Sequence, residues 1–506
     1  MDDPTALELL YQPIILENAL NRVIKQYRDV SGESRDSEGL SAFISGRISI
    51  LRQQARTVTA IAILQGHEHT IYVVASNHRS VEELQKVKVF LARLLGLIHK
   101  NPNELQRKPL TKQIIWRILS FNFPRVKAYL DNLLRHLDAC IADCKRREQS
   151  QSTSELEKEL RMLYSRADFT KDITSENDKQ KFLSDCETLL KSIHANKENR
   201  IGEAILKKSN NRAMLSSESW CELRHYLGRL LSYRQAAEVI VAAYERWPEL
   251  FQKFAIIPVP SSTKMAKPIS NPELSAADIV RNLLWEDEDP EPYLQQAADM
   301  QAIGLDDEIR QQINKKSFRP IVHAEVQLHS ALIRQGIVHP RQFWNRYKYI
   351  GSSKQTCRLC WYYFCAHGDE MQVRPTHRNI YLNWRLPDVY KSQGPSEVRT
   401  RRQLLERLTD HVRKDTKRTL DEKLPSRRKH DSTDQSRVPS FFNPSTDDLS
   451  ILSDLVSETS RRYANLNLGD SDNQEMVNDN SSWSLVVGED GFDNEEQEGG
   501  ASIINE

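Results

Sequence analysis

Two short motifs in the C-terminal half of the 506-residue chain carry the residue types best suited to chemistry. The first places His323 two residues before Glu325, and the second places Cys357 three residues before Cys360. One imidazole and two thiolates can hold a zinc ion and leave its fourth position open. A water bound there would ionise near neutral pH. The motifs therefore predict a hydrolytic site in which His323, Cys357 and Cys360 bind Zn2+.

The carboxylate of Glu325 completes this predicted chemistry. Glu325 is close enough to His323 to reach a zinc-bound hydroxide without binding the metal, and it can move a proton from water to a ring nitrogen and then to departing ammonia. An H-x-E motif followed by C-x-x-C is the signature of the zinc deaminases, which remove the exocyclic amine of a nucleobase. We predict Glu325 as the proton shuttle. The alternative is a non-catalytic helical scaffold or interaction protein whose deaminase-like zinc domain is degenerate.

Each motif precedes an apolar run with helical spacing, at residues 326–333 and 361–364. Both motifs are therefore predicted to lie at helix starts, with one strand between the two helices. A helix N-terminus carries partial positive charge and lowers the pKa of a thiol, which favours the thiolate ligand. Two helix starts that meet at one metal would thus position all three ligands.

The region from about 320 to 386 resembles the OTT-like deaminases, a branch of the zinc-dependent nucleic acid and nucleotide deaminase superfamily that is common in filamentous fungi. The resemblance rests on three blocks in order: His323-Ala324-Glu325-Val326-Gln327-Leu328, then residues 349–360 ending in Cys357-Arg358-Leu359-Cys360, then Arg374-Pro375-Thr376-His377 leading to Trp384-Arg385-Leu386-Pro387. It implies a deaminase fold, the same zinc ligands and the same role for Glu325. His377 lies within a matched block, so it either contacts the substrate or lies beneath the site.

A deaminase fold opens with a two-strand hairpin before the H-x-E helix, but no hairpin directly precedes His323. Residues 57–64 and 70–75 are rich in β-branched types and flank a short polar connector that contains Gly, which indicates a hairpin. We expect this hairpin to supply the missing first strands, separated from the rest by an insertion. Asn77 would then contact the substrate. The alternative is a separate N-terminal domain with Asn77 as a turn residue.

The remaining sequence gives the expected organisation. We predict an α/β fold, with a deaminase-like mixed sheet flanked by helices, a large all-α insertion and a disordered C-terminal tail. The expected units are residues 1–98 with the N-terminal helices and the hairpin, 99–315 as the helical insertion, 316–423 as the catalytic core with a basic C-terminal helix, and 424–506 as the tail.

Charge is distributed unevenly along the chain, although the net charge is only +1. Residues 464–506 contain 11 acidic and no basic side chains, so the rest of the chain carries +12. A mildly basic body permits binding to nucleic acid. Basic and aromatic residues alternate over 341–349, a mixture that can contact bases and phosphates and that is also typical of a half-buried strand. The expected partner is a nucleobase-containing substrate, either a nucleotide or single-stranded RNA or DNA, and no membrane.

Seven cysteines in a chain of this length do not form a disulfide framework. No apolar run approaches the ~18–20 residues of a membrane helix, and the first residues lack the pattern of a signal peptide. We therefore expect an intracellular protein, cytoplasmic or nuclear, without a membrane partner. Phosphate-loop and dinucleotide-binding glycine motifs are absent from the sequence, which gives no support to nucleotide hydrolysis or Rossmann redox chemistry.

Overall fold

The computed structural model describes residues 4–24, 58–101, 104–146, 151–197, 200–209, 217–285, 287–389 and 393–422. The predicted tail, 424–506 with its acidic part from 464, lies outside the described residues.

The centre of the fold is a five-stranded mixed sheet. Its strands are β1 (Thr59–Gln65), β2 (Thr70–Ser76), β3 (Phe254–Val259), β4 (Tyr349–Ser352) and β5 (Gln372–Val373). The order across the sheet is β3-β2-β1-β4-β5. The pairs β1–β2 and β1–β4 are antiparallel, whereas β2–β3 and β4–β5 are parallel. The hairpin predicted from the sequence thus forms β1 and β2, and it shares a sheet with the strand that precedes the cysteine motif.

Helices flank the sheet and form most of the described chain. They are α1 (Pro4–Val23), α2 (Val81–Lys100), α3 (Arg107–Phe121), α4 (Phe123–Arg146), α5 (Gln151–Ala167), α6 (Glu176–Lys197), α7 (Arg200–Ser209), α8 (Ser217–Arg246), α9 (Glu249–Gln252), α10 (Ala276–Leu283), α11 (Glu291–Asp299), α12 (Leu305–Asn314), α13 (Ala324–Arg334), α14 (Arg358–His367) and α15 (Gly394–Glu422). Short 3-10 turns lie at Met300–Ile303, Pro340–Gln342 and Trp344–Arg346. The predicted fold class, an α/β protein with a mixed sheet between helices, is confirmed.

The alternation of side chains along β1 separates two hydrophobic cores. Ile61 and Ile63 belong to the core shared with α2–α9, whereas Ala60, Ala62 and Leu64 belong to the core shared with α1 and α10–α15. Successive side chains of a strand point to opposite faces of its sheet, so the sheet lies between two helical layers. The helix that follows His323 and the helix that follows Cys357 both lie in the second layer.

One strand interrupts the stretch 99–315 that the sequence analysis assigns entirely to helices. Residues 254–259 form β3, and the strand-free interpretation is corrected there. Pro258 hides the strand from sequence analysis because proline cannot donate to a ladder and argues against a central strand. β3 lies at the edge of the sheet and pairs only with β2, so its other side tolerates the missing donor. After β3 the chain crosses to the second layer, where α10–α12 pack with the metal-proximal helices.

Candidate metal centre and active site

His323 stands at the start of α13. Its backbone is extended, with φ −70° and ψ 155°, and the helix begins at the next residue. The preceding residue, Val322, is buried, and its N–H donates to the Ser262 hydroxyl at 2.8 Å. Ser262 follows β3, so the edge strand fixes the chain just before the imidazole. The prediction that the H-x-E motif lies at a helix start is confirmed.

Cys357 has the same position relative to α14. It is the N-cap residue, and its Sγ accepts the backbone N–H of Cys360 at 3.4 Å. The Nδ1 atom of His323 lies 3.5 Å from the Sγ of Cys357 and 3.5 Å from the Sγ of Cys360. The two helix starts therefore bring the three predicted ligands together from two motifs that are distant in sequence.

The donor set fits zinc. Tetrahedral zinc with Zn–N of about 2.0–2.1 Å and Zn–S of about 2.3 Å would hold a nitrogen and a sulfur donor roughly 3.5 Å apart. The two N–S separations in this structure have that value. The ligand atoms of His323, Cys357 and Cys360 also all lie within 4.8 Å of one another. Three protein ligands of this kind leave one position of a tetrahedral ion open, as in catalytic rather than structural zinc sites.

The two thiols of the site differ in acidity. Burial alone raises the pKa of Cys357, but hydrogen bonds from Cys360 and the charge of His323 lower it well below the ordinary thiol value. Burial and the neighbouring Cys357 raise the pKa of Cys360 well above the ordinary value. Cys357 is therefore the more acidic of the two thiols, and a cation held between them would favour the thiolate form of both.

Glu325 lies in the first turn of α13 and is 3% exposed. Burial raises the pKa of Glu325 to about 7, while the charge of His323 lowers it and that of Cys357 raises it. A cation held by the three ligands would lower this pKa from its raised value. The carboxyl group is thus able to take up and release a proton in the range where general acid–base catalysis works.

Trp384 contacts the metal-ligand set directly. Its indole Nε1 donates to the Sγ of Cys360 at 3.3 Å, and the side chain is fully buried. The carbonyl oxygen of Trp384 accepts the hydroxyl of Tyr11, from α1, at 2.6 Å. Ile321, two residues before His323, forms a parallel bridge with Trp384. Trp384 therefore connects Cys360 with the chain that leads to His323.

A comparison with protein families agrees with this geometry. Residues 322–388 match the family model of the OTT_1508-like deaminases. This segment belongs to the OTT-like deaminases. The predicted family resemblance is confirmed, and the match spans both motifs and Trp384. No match to this chain was found among curated proteins or among solved structures.

Among the described helices, none combines the length and apolarity needed to cross a membrane.

The third block of the deaminase segment holds the cysteine loop in place. Arg374 donates from its guanidinium to the carbonyl oxygen of Ser352 at the end of β4, at 3.1 Å. Thr376 and Thr356 form a parallel bridge, and the N–H of His377 donates to the carbonyl oxygen of Thr356 at 3.0 Å. This block therefore extends the β4–β5 pairing up to Cys357. Motif spacing alone gave no sign of this supporting role.

The structure places the two predicted substrate-contacting residues differently. His377 is 1% exposed, its Nδ1 accepts the N–H of Asn379 at 3.0 Å, and its ring lies edge-on to Tyr381. Asn77 follows β2 and is half-buried, and its side-chain oxygen accepts the N–H of Val58 at 2.8 Å. Both side chains thus have partners in the protein. Contact of His377 or Asn77 with a substrate stays a prediction.

A buried network joins the middle of α13 to α14 and the turn that follows it. His329, which is fully buried, contacts the hydroxyl of Tyr363 through Nδ1 at 3.0 Å and Asp369 through Nε2 at 2.8 Å. The Lys348 ammonium lies 3.5 Å from Asp369, and the ring of His367 lies edge-on to His329. Although the two histidines and the aspartate have metal-ligand types, the ammonium already neutralises the carboxylate. The network therefore holds the two helices that carry the candidate ligands against each other.

Arg358, the residue between Cys357 and Leu359, ties α14 to the two long helices beside it. Its guanidinium pairs with Glu17 of α1 at 2.6 Å and with Asp415 of α15 at 3.2 Å. Burial alone would lower the pKa of Arg358, but these two carboxylates raise it above its ordinary value. The start of α14 is thus anchored by a buried charged cluster.

The basic and aromatic stretch 341–349 contributes mainly to the cores. Phe343 is 1% exposed, Trp344 7% and Tyr349 3%. Side chains this buried are not available to stack on nucleobases. Arg341 and Arg346 are exposed and Tyr347 is half-buried, so contact of these three residues with a substrate stays a prediction.

Proposed function

We propose that this protein is a zinc-dependent hydrolase that deaminates a nucleobase. The observation that carries the proposal is the triad of His323, Cys357 and Cys360, with 3.5 Å between the nitrogen and each sulfur, beside the buried carboxyl group of Glu325. The deaminase family match over 322–388 supports the same reaction class. His323, Cys357 and Cys360 would hold the ion.

The reaction consumes water and releases ammonia. Zinc, when bound, supplies a Lewis acid in the open coordination position. The carboxylate of Glu325 accepts a proton from the attacking water and delivers it to the ring nitrogen beside the carbon that carries the amine. Glu325 then takes the remaining proton from the added hydroxyl group and gives it to the amine, so that the carbon–nitrogen bond breaks, ammonia leaves and the ring carbonyl forms. The buried surroundings of Glu325 keep bulk water from competing for that proton.

The proposed substrate is an unpaired base. A base inside a duplex would have to be flipped out at a cost of a few kcal/mol before it could reach a buried site. The sequence contains no motif that resembles a helix-turn-helix or zinc-finger reader of duplex DNA. Single-stranded nucleic acid or a nucleotide therefore fits the site better than a duplex.

The direct test is ammonia release by the purified full chain offered nucleosides, nucleotides and single-stranded oligonucleotides. Glu325→Gln keeps the size of the side chain but removes the shuttle, so turnover should fall at least ~10²-fold while zinc stays bound. The matched control is Glu406→Gln, which changes an exposed carboxylate on α15 and should leave turnover unchanged.

Two results would contradict the proposal. Unchanged turnover in Glu325→Gln would remove this residue from the reaction. About one equivalent of zinc with no ammonia from any substrate would favour the alternative of a non-catalytic scaffold.

A further inference from the structure

A cleft of about 390 Å³ lies beside the deaminase segment, between α1, the end of α12 and the loop 378–383. Its volume is in the range of small-molecule sites. None of the residues assigned to the metal or to proton transfer lines it. The cleft is therefore a second concave surface near the metal centre, with its own set of polar groups.

Two amide side chains give the floor of the cleft a specific chemistry. Gln312 is fully buried, and its Nε2 donates to Glu308 at 2.8 Å, which fixes the orientation of the amide. The Nδ2 of Asn18 donates to the carbonyl oxygen of Ile380 at 3.1 Å. Both remaining amide oxygens are buried and lack a donor among the described residues. Unpaired buried acceptors cost free energy, so this floor suits a ligand that offers N–H groups.

Cationic side chains lie around the same cleft. Lys315, Arg378 and Arg22 line it, and no carboxylate among the described residues does. Arg22 pairs with Glu308 at 3.0 Å, whereas Lys315 has no ion pair in the described part of the chain. A cleft with basic groups and no acidic lining suits an anionic group such as phosphate.

Tyr381 connects the cleft with the metal centre. It lines the cleft, and its ring centroid lies 6.2 Å from that of His323. Arg358, directly after the ligand Cys357, also lines the cleft. A ligand that fills the cleft would therefore contact the loop and the helix start that hold the metal ligands.

We propose that this cleft binds a nucleotide next to the target base in a single-stranded nucleic acid. The amine or ring N–H of that flanking base would donate to Gln312 and Asn18, and its phosphate would contact Lys315 and Arg378. This inference rests on the proposed deaminase function and narrows its substrate to an oligonucleotide strand. A base with an exocyclic amine fits the two acceptors better than uracil or thymine.

The test is fluorescence anisotropy of labelled single-stranded oligonucleotides with full-length Glu325→Gln, so that binding is measured without turnover. Lys315→Glu should weaken binding about tenfold at low salt and reduce the slope of log affinity against log salt by about 0.7, the value for one lost phosphate contact. Lys316→Glu is the matched control, because Lys316 is exposed and does not line the cleft. Gln312→Met should reduce the preference for flanking bases with an amine and leave the salt slope unchanged.

The outcomes separate this inference from the proposed function. Oligonucleotide binding that depends on Lys315 but not on Lys316 supports the cleft, even if no substrate releases ammonia. Equal oligonucleotide binding by both lysine variants overturns the proposal that the cleft binds a nucleotide. Binding of a matched duplex as tightly as the single strand overturns it as well. If free nucleotides release ammonia as efficiently as oligonucleotides do, the cleft proposal is overturned and the deaminase proposal stands.

Discussion

Replacing Trp384 by phenylalanine removes the indole N–H that donates to Cys360 at 3.3 Å and keeps an aromatic ring at this buried position. A hydrogen bond to a charged acceptor contributes about 1.5–3 kcal/mol. Since 1.4 kcal/mol corresponds to about a tenfold change in affinity, Trp384→Phe should weaken zinc binding by roughly 10–100-fold. Losses of this size are typical when a group that hydrogen-bonds a metal ligand is removed.

The measurement is the zinc dissociation constant of the purified variant, determined by competition with a chelator at fixed pH. Trp220→Phe is the matched control, because Trp220 is also fully buried and donates its indole N–H to a carboxylate, Asp143, at 3.0 Å. Trp220 lies in the other hydrophobic core, so its variant should lose stability and keep its zinc affinity. If both variants lose zinc affinity equally, general destabilisation explains the effect. If Trp384→Phe binds zinc with unchanged affinity, the hydrogen bond from Trp384 to Cys360 does not contribute to zinc binding.

Further predictions concern the ligands and the charged clusters around them. Cys357→Ser should lower zinc content and thermal stability together, because metal binding is coupled to folding, and elemental analysis that finds one zinc retained would contradict the ligand assignment. Arg358→Met should cost about 3–5 kcal/mol in urea unfolding, since it leaves the fully buried Glu17 without its cation, and adding Glu17→Gln should recover part of that loss. Asp369→Asn should destabilise the fold by roughly 1–3 kcal/mol at pH 7. Burial alone would raise the pKa of Asp369, but the hydrogen bond and charge of His329 lower it, so its stabilising effect exists above the unfolded pKa of about 3.9 and fades as pH falls below it. The difference in unfolding free energy between Asp369→Asn and the unsubstituted chain should therefore be smaller at pH 3.5 than at pH 7, as measured from unfolding curves at both pH values.

The candidate metal centre is the part of the structure that the sequence predicts best. Zinc ligands must be of a few residue types, and helix starts impose short fixed spacings, so His323, Cys357 and Cys360 stand out without any tertiary information. The hairpin is also visible because β-branched runs around a Gly-containing connector are a local pattern. That it pairs with β4 follows from no local signal, and only the expected deaminase fold suggested it.

The supporting contacts could not be predicted, because they join residues that are remote in sequence. Nothing local marks Trp384 as a donor to a cysteine or Gln312 as a buried acceptor. The sequence did not predict β3, because it contains Pro258 and proline is acceptable only in an edge strand. Whether a strand lies at the edge is known only once the whole sheet is formed. The basic and aromatic stretch 341–349 supplies core residues such as Phe343, and the sequence alone does not show which of its side chains are buried.

The deaminase segment does not build the site alone. Its strand β4 pairs with β1, which comes from the hairpin far upstream, and the residue before His323 is held by Ser262 after β3. The carbonyl oxygen of Trp384 is held by Tyr11 from α1. Three separate regions of the chain therefore converge on the candidate metal centre, although the family match covers only the last of them. The helical layer α2–α9 packs on the opposite face of the sheet, where it shares a hydrophobic core with Ile61 and Ile63 of β1.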